Sequence, residues 1–152
     1  MSSAADRTAQ VTRHLNTSNM SGLDKFNAPD LPAADAIYSH VATVPATARL
    51  VYLSGQVPAI PETGALVEGG IQPSTAQCIA NLERALKVAG SSLANLVKVN
   101  IFLKNMSDFD AVNEVYTRLI PAPKPARTCV QAGKRKLPSL LDLPSLSCAQ
   151  CY

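Results

Sequence analysis

The chain has 152 residues, of which 47% are hydrophobic and 16% charged, with a formal net charge of +3. This length supports one domain, because domains of about 150 residues bury roughly 68–70% of the surface that their unfolded chain exposes. No apolar run approaches the roughly 20 residues that cross a bilayer, so we expect no membrane insertion. The weak, scattered positive charge and the 5% aromatic content do not indicate a nucleic-acid partner.

Cysteine usage and the amino terminus bear on compartment. The four cysteines form no even disulfide framework, which favours a reducing environment. Cys148 and Cys151 have the spacing of half a zinc or redox motif, but no second pair accompanies them, so we predict no metal site. The first ~25 residues lack the apolar stretch of a secretory signal. We expect a cytoplasmic protein, with a mitochondrial address as the alternative because Arg7 and Arg13 fall in this stretch.

The chain divides into an arm, a domain and a divergent end. Residues 1–34 are polar and without sustained periodicity, which predicts a flexible arm. The domain is expected over 35–133, and a divergent segment follows at 134–152. Within the domain, residues 37–41 and 50–56 are β-prone and separated by a short proline-containing segment, which predicts a hairpin.

A helix and a strand follow. Ser74 and Gln77 have the spacing of a capping box, which predicts the helix start. Its apolar residues recur at helical spacing: Ile79, Leu82, Leu86 and Ala89. Gly90 then provides a left-handed stop. Residues 97–104 alternate between apolar and polar, as a strand with one face on a core does.

A second helix and a last short strand complete the pattern. Ser107 is the expected cap, and Pro121 ends the helix. Its apolar face is Phe109, Val112, Val115, Tyr116 and Leu119. Residues 128–130 are β-prone. The order strand, strand, helix, strand, helix, strand predicts an α+β domain with helices on one face of one sheet.

Several segments share an order and a spacing with a known family. They are Tyr38, Ser54-Gly55-Gln56, residues 97–104, Asp108-Phe109 with residues 112–116, and residues 125–130. Together they resemble the reactive intermediate deaminase (Rid, or YjgF) family over roughly residues 35–130. The resemblance implies a chorismate-mutase-like α+β fold, with a mixed sheet, two helices on one face, and homotrimers with ligand clefts between subunits.

The resemblance also implies an activity. Members of this family hydrolyse reactive enamines and imines such as 2-aminoacrylate and 2-aminocrotonate to 2-keto acids and ammonia, without a metal or an organic cofactor. The expected partner is therefore a small, carboxylate-bearing imine. Such a substrate needs a cationic group for its carboxylate and an oriented water for its electrophilic carbon.

Arg127 is the strongest candidate for the first role. Its planar guanidinium binds both oxygens of a carboxylate, a geometry that lysine does not offer. It also matches the carboxylate-binding arginine of the family. The alternatives are pairing with an acidic side chain or simple exposure. Tyr38 matches a cleft tyrosine whose hydroxyl serves substrate or water, with core packing as an equally weighted alternative.

Four further residues match the family's cleft. Ser54 and Gly55 match a strand end that lines it, or they form a plain strand-to-loop turn. Cys129 should face the same side as Arg127 in an extended segment, as a neutral lining thiol. Asn113 matches a position near the site, with an exposed helical asparagine as the alternative.

The end of the chain departs from the family. The resemblance implies a final strand with a catalytic glutamate, whose expected place Leu146 occupies. Asp142 would replace the glutamate only if the backbone shifted, and its shorter side chain and leucine-rich surroundings disfavour this alternative. Residues 134–152 do not look like a strand, and Pro144 would remove a ladder hydrogen bond.

The leading hypothesis is therefore a deaminase of 2-imino acids. A non-catalytic trimer that binds small metabolites is the first alternative, because the glutamate is missing. A tailoring protein of secondary metabolism that acts on another imine is the second. RNA cleavage is the third, although no basic and aromatic surface supports it.

Overall fold

The structure, a computed structural model, describes residues 22–32, 34 and 36–132 and the backbone of 145–151. Its helices are α1 Ile71–Val88 and α2 Phe109–Leu119, with short 3-10 turns at Leu93–Asn95 and Met106–Asp108. Its strands are β1 Asp24–Phe26, β2 Val41–Thr43, β3 Leu50–Gln56, β4 Leu96–Leu103, β5 Ala126–Gln131 and β6 Ser145–Cys151. β1 and β2 form a small sheet of their own.

The main sheet has four strands in the order β3-β6-β4-β5. β6 is antiparallel to both of its neighbours, whereas β4 and β5 are parallel. α2 lies in the connection between β4 and β5, as expected because parallel neighbours require a crossover. β3 and β5 are the two outer strands of this mixed sheet.

Both helices pack on one face of the main sheet. The hydrophobic core joins α1, α2 and alternate residues of β4, all at most 2% exposed: Cys78, Ile79, Leu82, Leu86, Leu96, Val99, Ile101, Leu103, Val112, Val115, Tyr116 and Ile120. Burial of these side chains is the main force that holds the layers together. The predicted α+β fold, with a mixed sheet and two helices on one face, is confirmed.

A bulge at the start of β4 changes the predicted alternation there. Val99, Ile101 and Leu103 are buried as expected, but Leu96 is buried in place of Val97. The register with β6 shifts between Leu96 and Lys98. An extra residue in one strand moves every earlier side chain to the other face, which explains the change.

The helix starts differ from prediction. α1 begins at Ile71, and its cap residue Gly70 makes no side-chain hydrogen bond. Pro73 is tolerated because the first amides of a helix have no intrahelical partner. Ser74 is buried inside the first turn, so the predicted capping box is wrong. Ser107 lies in the 3-10 turn before α2 and is not its cap.

The helix ends agree with prediction. Gly90 has a φ of 79°, and its N–H donates to Lys87 O over 3.0 Å. This left-handed residue ends α1 in the predicted way. α2 ends at Leu119, two residues before Pro121.

The predicted hairpin of residues 37–41 and 50–56 is wrong. β2 covers Val41–Thr43 and pairs with β1, while β3 pairs with β6 at the other end of the chain. Tyr38 consequently precedes a strand and does not lie in one. β1 falls within residues 1–34, so the predicted arm contains a paired strand; residues 1–21 lie outside the described residues.

The expectation that residues 134–152 form no strand is also wrong. β6 lies between β3 and β4, with Leu50 opposite Cys151 and Leu146 opposite Ile101. Pro144 and Asp142 lie outside the described residues. The part of the chain that the structure describes contains no helix long and apolar enough to cross a membrane.

Candidate functional site

Arg127 lies near the start of the outer strand β5. The parallel register places it opposite Val99, which is fully buried on the helix-bearing face. Residues opposite each other in a ladder direct their side chains to the same face, so Arg127 faces the helices. The chain just before β5 is fixed by Ser39, whose N–H donates to Pro125 O (3.1 Å) and whose Oγ donates to Lys124 O (2.6 Å).

Lys124 links the segment between α2 and β5 (residues 120–125, the connector) to the end of α2. Its side chain is buried, and Nζ donates to Thr117 O (2.7 Å) and to Ile120 O. These carbonyls belong to the last turn of the helix, which needs donors from outside. Burial lowers the pKa of Lys124. Lys124 therefore holds α2 and the start of β5 in a fixed relation.

α2 provides three contacts to the guanidinium of Arg127. Nη1 donates to Asn113 Oδ1 over 2.7 Å. The Cζ atom lies 4.5 Å from the ring centre of Tyr116 and 5.6 Å from that of Phe109. Cation–π contacts of this length stabilise a guanidinium and fix its plane. Arg127 is thus oriented by one hydrogen bond and two aromatic rings.

The remaining donors of the guanidinium, Nε and Nη2, are buried without a hydrogen-bond partner of ordinary geometry among the described residues. Arg127 also belongs to no ion pair in that part of the chain. An unpaired buried donor costs about 1–3 kcal/mol. Nε and Nη2 share one edge of the planar group, and such an edge binds both oxygens of a carboxylate.

Cys129 lies two residues further along β5, opposite Ile101. Burial raises the pKa of its thiol, while the nearby charged side chain of Arg127 acts in the opposite direction. Burial is the larger effect. The thiol is a weak acceptor, so it does not replace a carboxylate on the guanidinium, and it stays protonated at neutral pH.

Tyr38 is half-buried on the segment that Ser39 attaches to the connector. Its ring meets the ring of His40 edge to face, at 5.6 Å between centres. His40 Nδ1 accepts a hydrogen bond from the N–H of Ala28 over 3.1 Å. Because the neighbouring Ser39 is hydrogen-bonded to the connector, Tyr38 lies near the start of β5. The contact with His40 orients its ring.

Ser54 and Gly55 are not brought together with Arg127 inside one chain. Both are exposed, at a point where the register of β3 with β6 shifts. Bulges of this kind redirect side chains at strand ends. β3 is the outer strand opposite β5, three strand spacings away, which is about 14 Å. One chain thus carries the predicted site residues on two separate edges.

A shallow groove runs along the outer side of α2. Its lining residues are Ile37, Asp110, Asn113, Glu114, Thr117 and Arg118. Asn113 belongs to both this groove and the contacts of Arg127, so the groove borders the arginine. Among the described residues no group of three His, Cys, Asp or Glu side chains could hold a metal ion.

Two residues around Arg127 were predicted only as core residues, namely Phe109 and Tyr116. Together with Asn113 they have the spacing i, i+4, i+7, which places all three on one face of a helix. A helical face with this spacing, beside a strand that carries an arginine, is the sequence signal that indicates these contacts. Tyr116 is fully buried, and burial raises its pKa while the charge of Arg127 opposes the rise.

The family model described as Endoribonuclease L-PSP matches residues 28–141. The chain therefore belongs to this family, and the resemblance to Rid and YjgF proteins is confirmed.

Two relatives and one solved structure illustrate the similarity. Protein mmf1, mitochondrial, from Schizosaccharomyces pombe is 53% identical over 81 residues, which span 53% of this chain and about half (49%) of that relative. The 2-iminobutanoate/2-iminopropanoate deaminase of Mus musculus is 35% identical over 76% of this chain and 84% of the relative. The crystal structure of E. coli TdcF with bound serine matches with a TM-score of 0.61 and 28% identity, over 68% of this chain and 80% of that chain.

Proposed function

We propose that this protein hydrolyses small 2-imino acids and their enamine forms, such as 2-aminoacrylate and 2-aminocrotonate, to 2-keto acids and ammonia. The observation that carries the proposal is the edge of Arg127 formed by Nε and Nη2, which is buried, oriented and unpaired among the described residues. The mouse relative named as an iminobutanoate and iminopropanoate deaminase supports the same substrate class. The serine bound to TdcF supports a small ligand with a carboxylate.

The reaction needs few groups. Arg127 holds the substrate carboxylate through two charged hydrogen bonds, which leaves the neighbouring imine carbon at a fixed place. The enamine form first becomes the imine, as its β-carbon takes up a proton and its nitrogen gives one up. The oxygen of a water then bonds to the imine carbon while the nitrogen takes one proton of that water, and the remaining hydroxyl proton passes to nitrogen as the C=O bond forms. The C–N bond then breaks, and ammonia leaves with the bonding electrons. We assign the orientation of the water to the hydroxyl of Tyr38.

The test follows 2-aminoacrylate, generated in place by a pyridoxal-phosphate dehydratase, in competition with an amine that traps it. Wild-type protein should lower the yield of trapped product. Arg127→Ala should abolish this effect, and Arg127→Lys should retain little of it, because lysine keeps the charge without the planar fork. Arg127→Ala with unchanged activity would exclude the carboxylate role.

A second candidate is binding of the same compounds without turnover. Leu146 favours it, because this residue occupies the expected place of the family glutamate and lies in β6 opposite Ile101. Calorimetry with pyruvate and 2-ketobutyrate, beside the deamination assay, separates the two. Binding with no turnover selects the second candidate, and Leu146→Glu then tests whether a carboxylate restores hydrolysis.

We further propose that the protein acts as a homotrimer with the site between chains. The split of Arg127 and Ser54-Gly55 between the two outer strands supports this, since edge-to-edge contact would unite them. Tyr52 on β3 is 72% exposed, and Val130 on β5 is 41% exposed. Contact between the two outer strands of neighbouring chains would cover both side chains. Sedimentation equilibrium should give three times the 16.1 kDa chain mass.

Cellular location is a separate proposal. We predict a cytoplasmic location, and mitochondria are the alternative because the similar protein mmf1 is a mitochondrial protein. A full-length fusion to a fluorescent protein, imaged with a mitochondrial dye, decides between them.

A tailoring role on another imine would appear as turnover of larger imines with no turnover of 2-aminoacrylate.

A further inference from the structure

The polar atoms that lack partners lie together. Among the described residues, the buried side-chain nitrogen and oxygen atoms without a hydrogen bond are Arg127 Nε, Arg127 Nη2 and the hydroxyl of Tyr116. All three belong to one stacked pair, in which the guanidinium carbon lies 4.5 Å from the tyrosine ring centre. Buried polar groups are normally paired, so a concentration of exceptions needs an explanation.

The charged side chains beside the ring of Tyr116, Arg127 and Lys124, are donors. Arg127 has no acceptor atom, and Lys124, whose Nζ lies 6.0 Å from the ring centre, already donates to carbonyls of α2. The acceptor of Asn113 is occupied by Arg127 Nη1. Burial raises the pKa of Tyr116, so the hydroxyl keeps its proton at neutral pH. The hydroxyl of Tyr116 therefore has a proton to donate and no acceptor for it among these side chains.

We propose that the hydroxyl of Tyr116 is a third donor to the carboxylate of the substrate, beside the two donors of Arg127. This inference rests on the proposed function. An ionised carboxylate has about four acceptor positions and no donor. Two of these positions bind the guanidinium edge, and one of the others accepts from the tyrosine. The site then selects a carboxylate against a neutral carboxamide, because the NH₂ group of the carboxamide would face a donor of the guanidinium edge, which has no acceptor.

Core packing is the competing account of Tyr116. It predicts that the ring matters and the hydroxyl does not, so Tyr116→Phe separates the two. Calorimetry should show pyruvate binding about tenfold weaker in Tyr116→Phe, the size expected for one hydrogen bond to a charged group. The melting temperature should not fall, because the hydroxyl has no partner to lose. Binding of pyruvamide should be equally weak in both proteins.

Thr63→Val is the control, since it removes a hydroxyl from an exposed residue in the loop between β3 and α1. It should leave pyruvate affinity unchanged, with assembly checked by sedimentation. Equal pyruvate affinity in wild type and Tyr116→Phe would overturn the inference, and the proposed function would stand if Arg127→Ala still abolished binding. Pyruvate binding that survives Arg127→Ala, or its absence in wild type, would overturn both.

Discussion

The two outer strands of the main sheet differ in how their candidate residues are held. On β5, Arg127 is fixed by Asn113 and stacked on two aromatic rings of α2. On β3, Ser54 and Gly55 are exposed at a break in the register. In the site that we propose, the β5 edge is the ordered half (the β5 half), whereas the β3 edge (the β3 half) offers a hydroxyl and an open backbone.

In the proposed site, this difference assigns the binding of the substrate carboxylate to β5. A group that must bind charge has to be held rigidly, since binding is weakened by the cost of ordering a side chain. β5 meets that condition inside one chain. In the homotrimer that we propose, β3 would contribute to the site when another chain brings it near β5, and assembly would complete the cleft.

Mixing two inactive variants is the strongest test of this comparison. Arg127→Ala removes the β5 half, and Gly55→Glu places a repelling carboxylate on the β3 half. If sites form between chains, each site needs an intact β5 edge from a Gly55→Glu chain and an intact β3 edge from an Arg127→Ala chain. Random mixing of equal amounts then restores about a quarter of the sites. The deamination assay should show that recovery after denaturation and refolding together.

Two controls make the mixture decisive. Each variant refolded alone should stay inactive, and each should show the wild-type mass by sedimentation. If correctly assembled mixtures recovered no deaminase activity, the β5 and β3 edges of different chains would not form a joint site. That result would contradict the proposal of a site between chains.

Lys124→Met tests whether the β5 half depends on its link to α2. Two hydrogen bonds from a buried ammonium to helix carbonyls would be lost, so the free energy of unfolding should fall by about 2 kcal/mol. Urea denaturation measures this. Lys87→Met is the matched control: its pair with Glu83 is on the surface, and the loss should stay below about 0.5 kcal/mol. Equal losses in free energy of unfolding would show that the hydrogen bonds of Lys124 stabilise the fold no more than a surface ion pair does.

The sequence predicts those parts of the fold whose partners are near in sequence. β4 shows its alternation because every second residue meets the helices, and Gly90 marks the end of α1 because few other residues adopt its φ. The hairpin prediction fails because strand pairing depends on distant segments: β3 pairs with β6, with Leu50 opposite Cys151. β6 itself has no clear alternation, since pairing on both sides decides its conformation.

The candidate site shows the same limit. Arg127 was found from its residue type and its resemblance to a family position, both local properties. The aromatic contacts of Tyr116 and the separation of Ser54 from Arg127 depend on strand order, which the local pattern does not reveal. Strand order is therefore what turns the predicted set of residues into two half-sites.

The smallest expected effect concerns Cys129, the second residue of the β5 half. Burial raises the pKa of its thiol and Arg127 lowers it in part, so the midpoint of its alkylation by iodoacetamide should lie above that of free cysteine. Arg127→Met removes the lowering influence and should move the midpoint further upward. Mass spectrometry of the peptide that contains Cys129 gives the rate at each pH. Cys78, whose pKa burial raises to about 12, is the unreactive internal reference. A midpoint that stays unchanged in Arg127→Met would show that the guanidinium does not act on this thiol, and the β5 half would then consist of Arg127 and its α2 contacts.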